Sequence, residues 1–154
     1  IMNRSNSLDP TSRAMVGETI KIFSDTAEML IAEGNIDAAK NIVNRATEVL
    51  PAKIYQPDIA ARYPVLADQL YTLGETEKAN ALVGRNLKFL EEQMAYYAAI
   101  AETKPLTQVE AMGIRNGLFA LQQFSGSAEA HGQAAQYEQL QTVFDKYRKL
   151  FFEG

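Results

Sequence analysis

The chain has 154 residues, 47% hydrophobic and 22% charged, the balance of one globular domain with a core rather than of a disordered segment. Its net charge of −4, with acids and bases interspersed, lacks the basic stripe that nucleic acid selects and argues against such a partner. With no cysteine, disulfides, thiolate metal sites and thiol catalysis are excluded. The longest apolar run, residues 94–101, is far short of the roughly 20 residues a membrane span needs. Residues 1–9 carry no apolar signal-peptide core and read as a tail or linker before one domain at 10–154. Beginning at Ile1 rather than Met, the chain is expected to be a piece of a longer protein.

Helix signals follow one another along the chain. Asp9-Pro10 pairs an N-cap with a proline at the first helical position. Apolar residues then recur at three- and four-residue spacing, which predicts a helix over about 10–33 that stops at Gly34. Asn35 caps a second helix, about 36–50, with Ile36, Ala39, Ile42, Val43 and Ala46 on one face and Pro51 at its end. Residues 52–57 read as a loop. A third helix covers about 58–73, with Pro64 starting its regular part, and Gly74 ends it. The fourth runs unbroken over about 75–102, as far as Pro105. "TQVE", residues 107–110, is a capping-box pattern for a fifth helix reaching about 130, although Gly113, Gly117 and Gly126 weaken it. A sixth, about 133–152, carries Tyr137, Leu140, Phe144, Tyr147 and Phe151 as a stripe. No segment alternates as a strand would. The fold expected is all-α: six helices in three antiparallel hairpins, each turning at a glycine.

The hairpins repeat. Placing Gly34 on Gly74 matches residues 26–50 to 66–90, with seven of 25 pairs identical. The identities fall where a hairpin needs them. Ala27 and Ala39, with their counterparts Ala67 and Ala79, are small enough to let two helices approach, and Leu30 and Val43 are bulky enough to fill the space between. Ala27, Leu30, Gly34, Ala39, Val43, Ala46 and Pro51 together resemble the tetratricopeptide repeat. The second copy departs from that pattern at Asn86 and Glu91, and the third, around Gly132, has Tyr137 where the small alanine belongs. The resemblance implies hairpins stacked as a short right-handed α-α superhelix.

Taken in order, residues 27–51, the "LGETEKA" turn at 73–79 and the Tyr96-Tyr97 pair are also similar to the soluble C-terminal region of a family of bacterial multi-pass membrane proteins. Those proteins are related to the protein O-mannosyltransferases. This resemblance implies a membrane-embedded catalytic part elsewhere in the parent protein. The helical tail would then lie on the periplasmic side of the cell envelope, attached to the inner membrane.

Chemistry is sparse. The single histidine, His131, sits beside a turn glycine and reads as a helix C-terminal or solvent-facing residue. Ser125 and Ser127 flank Gly126 with no strand before them, so neither reads as a nucleophile elbow. "GIRNG", residues 113–117, lacks the strand and the Lys-Ser/Thr of a phosphate loop. Its two glycines, one helical turn apart, instead mark a place where another helix crosses closely. No catalytic residue, metal ligand or cofactor is assigned. In tetratricopeptide arrays the first helix of each pair lines the concave face, which by position implies Lys21, Ser24, Glu28 and Ile31, then Ala61, Asp68, Tyr71 and Thr72. Tyr71 either anchors a partner or packs inside. Acidic Glu28 and Asp68 oppose the capture of a peptide C-terminal carboxylate. The expectation is therefore a non-catalytic scaffold that takes a protein or peptide partner. The alternatives are a small-molecule or catalytic cleft between helices 1, 3 and 5, and a homodimer through Phe151 and Phe152 on helix 6.

Overall fold

The computed structural model describes residues 10–49 and 62–153. Asp9, Leu50, Pro51, the loop at 52–57 and Ala61 lie outside the described residues. Those described form six helices and no strand: α1 (Pro10–Ala32), α2 (Ile36–Val49), α3 (Tyr63–Thr72), α4 (Thr76–Thr103), α5 (Gln108–Ala130) and α6 (Ala134–Phe152). None of them is long and apolar enough to cross a membrane.

Three turns of one design join the helices in pairs. Gly34, Gly74 and Gly132 all have positive φ, at 78°, 79° and 71°, where a side chain would be strained. At each turn the residue after the glycine donates its N–H back to the carbonyl five positions earlier: Asn35 to Leu30, Glu75 to Leu70 and Gln133 to Ala128, all at 2.8 Å. The glycine itself donates to the carbonyl three before it. This is the Schellman arrangement, which satisfies carbonyls that the helix end would leave bare. The third turn thus matches the other two, although its sequence matches poorly. Small Ala128 stands at the place of Leu30, and bulky Tyr137 at the place of Ala39. Bulk has changed sides of the hairpin.

Within the first two hairpins, Ala27, Ala39, Ala67 and Ala79 are all 0% exposed, as close helix packing requires. Beyond the hairpins, α3 packs on both α1 and α2, α5 packs on both α3 and α4, and α6 packs on α4. The pairs are therefore stacked in chain order, with α1, α3 and α5 side by side. Asn86 stands where the first copy has buried Ala46. It is fully buried, its Nδ2 donates to the Leu82 carbonyl at 2.8 Å, and its Oδ1 accepts nothing.

Helix α5 runs without a break through its glycines. Its start is the capping box seen in the sequence: Glu110 N–H donates to Thr107 Oγ1 at 3.1 Å, and Thr107 N–H donates to Glu110 Oε2 at 2.7 Å. Gly113 and Gly117 are buried where α5 crosses α4; a Cβ at Gly113 would meet Tyr97, and one at Gly117 would meet Met94. Along α6, Leu140 and Tyr147 are buried, Tyr137, Phe144 and Phe151 are half-buried, and Leu150 and Phe152 are exposed.

Candidate functional site

An open groove of ≈ 520 Å³ lies between α3 and α5. Helix α3 lends Val65 and Asp68, one helical turn apart. Helix α5 lends Phe119, Gln122, Gln123 and Ser127 at the three- and four-residue spacing of one helix face. Val65 and Phe119 are large apolar side chains left 49% and 53% exposed. Gln122 and Gln123 carry amides that both donate and accept, and among the described residues Asp68 is the one charged residue lining the groove.

Asp68 is held by its neighbours. Its Oδ1 accepts from Ser127 Oγ and from His131 Nε2, each at 2.9 Å. His131 is the C-cap residue of α5, and its ring stacks on Tyr71 with centroids 5.2 Å apart. The Tyr71 hydroxyl donates to Asn80 Oδ1 at 2.6 Å, and Asn80 Nδ2 donates to Gln133 Oε1 at 3.1 Å. One network thus ties α3 and α4 to the turn between α5 and α6. Burial pushes the Tyr71 hydroxyl above its ordinary pKa of 10.0. Serine, histidine and aspartate meet here, but not in the order that activates a nucleophile. A catalytic base contacts the serine while the acid orients the base. In this cluster the carboxylate sits in the middle, and Ser127 and His131 both donate to the same oxygen. The arrangement is suited to fastening hairpins and fixing Asp68. Among the described residues no group of three or more His, Asp or Glu could hold a metal ion.

Of the described residues expected on a concave face, Asp68 alone lines this groove. Lys21, Glu28 and Thr72 are exposed, and Ile31 is half-buried. Ser24, expected on an open surface, is only 7% exposed, and Tyr71, for which both an exposed and a packed place were open, is 6% exposed. The Ser24 carbonyl accepts from Gln69 Nε2 at 2.7 Å, so the second hairpin covers this part of α1. Tyr71 is inside, against His131. Among the described residues, those lining the cleft come from α3 and α5. Sequence reasoning missed the α5 side, although a signal existed. Placing Gly132 on Gly74 carries Ala61, Asp68 and Thr72 to Phe119, Gly126 and Ala130, all three of which line the groove.

No family model, curated protein or solved structure matches the chain.

Proposed function

We propose that the chain is a non-catalytic, tetratricopeptide-like module that holds an extended peptide segment of a protein partner between α3 and α5. The α3–α5 groove carries this reading. Its exposed Val65 and Phe119 offer apolar contact, and the Gln122 and Gln123 amides offer partners for a peptide backbone. Stacking of each hairpin's first helix on both helices of the hairpin before it supports a right-handed superhelix. Attachment to a membrane glycosyltransferase-like parent on the periplasmic side is part of the proposal and rests on the motifs at 27–51, 73–79 and 96–97. The full-length reading frame tests that part: several apolar spans of about 20 residues support it, and their absence overturns it.

Groove binding is tested by panning a random ten-residue peptide library on the protein and on a Val65→Asp, Phe119→Lys variant. Clones that hold the wild type should bind the variant at least about tenfold more weakly, since burying one large side chain is worth roughly 1.5–3 kcal/mol. Failure to enrich any clone, or clones indifferent to the variant, overturns the reading.

A further inference from the structure

A second cleft, of ≈ 270 Å³, lies between α5 and α6. Arg115, Phe119 and Gln122 come from one face of α5, and Phe144, Arg148 and Phe152 from one face of α6 at four-residue spacing. Phe119 and Gln122 also line the α3–α5 groove, so the two depressions share a wall. Their charges are opposite. Asp68 is the charged residue of the groove, and two arginines are the charged residues of the cleft. The protein already shows what Arg148 accepts: its Nη1 donates to the Glu153 carboxylate, just past the end of α6, at 2.6 Å. At Asp68, Oδ1 is taken by Ser127 and His131, which leaves Oδ2 to face a ligand cation.

Resting on the groove reading above, we infer that the bound peptide crosses Phe119 into the α5–α6 cleft and is bipolar, with a basic residue at Asp68 and an acidic residue at Arg115 and Arg148. Helix geometry sets the spacing. Asp68 lies level with Ser127, which bonds it, and Ser127 is 12 positions from Arg115 on α5. At 1.5 Å per residue that is about 18 Å. An extended chain covers this length in about five to six residues at roughly 3.3 Å each. The apolar residues between the two charges meet Phe119, and Phe152, 56% exposed, flanks the acidic end.

The clones recovered from the ten-residue library test this directly. They should carry Lys or Arg about five or six residues from Asp or Glu, with an apolar residue between. Arg115→Ala and Arg148→Ala should each weaken such clones roughly two- to fivefold, the range of exposed charge pairs, and less so at high salt. Asp68→Asn should weaken them similarly, and Glu153→Gln, which frees Arg148, should tighten them. Asp68, Arg115 and Glu153 are exposed and Arg148 is half-buried, and circular dichroism confirms that each variant is folded. Clones that bind through Val65 and Phe119 but carry no such charge pair, or that ignore all four substitutions, overturn the bipolar inference and leave the groove reading standing. Recovery of no clones overturns both.

Discussion

Alanine placed at the helical glycines should move stability in two directions, depending on what each Cβ would meet. Gly84 in α4 and Gly126 in α5 have nothing within 4 Å of that position. Alanine there should stabilise by about 1 kcal/mol, the helix-propensity difference. At Gly117 the same Cβ would collide with Met94 Cε and lie 3.8 Å from Leu90 Cδ2. Met94 and Leu90 are both 0% exposed, so the Met94 methyl, although the end of a flexible side chain, has no solvent to move into. Overpacking of this kind costs about 1–3 kcal/mol. Propensity is common to all the substitutions, so it cancels when Gly117→Ala is compared with Gly84→Ala. The difference left is the collision, about 1–3 kcal/mol, read from urea unfolding. In a domain of this size each kcal/mol moves Tm by roughly 2–4 °C. Trimming the collision with Met94→Leu should restore part of the loss. Gly113→Ala should lie between, because Tyr97, which it would strike, is half-buried and has somewhere to go. If Gly117→Ala proves as stabilising as Gly84→Ala, the close crossing of α5 over α4 is wrong.

Other expectations concern single interactions. Asn86→Leu, by removing the buried Oδ1 that accepts nothing, should raise stability by about 1 kcal/mol in urea unfolding. Tyr71→Phe should cost about 1 kcal/mol by leaving Asn80 Oδ1 without its donor. Combined with Asn80→Ala the costs should be less than additive in a double-mutant cycle. Thr107→Ala should cost about 1 kcal/mol as a lost cap. The Thr107 backbone N–H is foremost in holding the Glu110 carboxyl below its ordinary 4.5, aided by the Thr107 hydroxyl and Lys104. A carboxyl depressed in the folded state adds stability above its unfolded pKa, and that contribution fades as pH falls through the folded value. Acid titration of stability should therefore be shallower in Glu110→Gln than in the wild type.

The hairpins were legible because their physics is local. Gly34 and Gly74 sit where a helix must turn left-handed, Ala27 and Ala39 where two helices must touch, and Thr107 with Glu110 where a helix must start. Gly113 and Gly117 likewise announced a close crossing, which α4 supplies. The third hairpin was harder to read because Tyr137 fills the place of the small residue, and with it the α5 wall of the groove was lost. Burial between hairpins was not legible. Helical phase gives the direction of Ser24 or Tyr71 but not what lies there. Ser24 is covered by a residue 45 positions away, and Asp68 is bound by partners 59 and 63 positions away.

The peptide groove is tested most directly by following backbone amide chemical shifts of the isotope-labelled protein while a library-derived peptide is added. Shifts should concentrate at Val65, Asp68, Phe119, Gln122 and Gln123, the α3–α5 groove, and extend to Arg115 and Arg148 when the peptide is bipolar. Shifts concentrated instead at Leu87, Glu91, Gln139 and Val143, which line a depression of ≈ 460 Å³ between α4 and α6, would contradict the account.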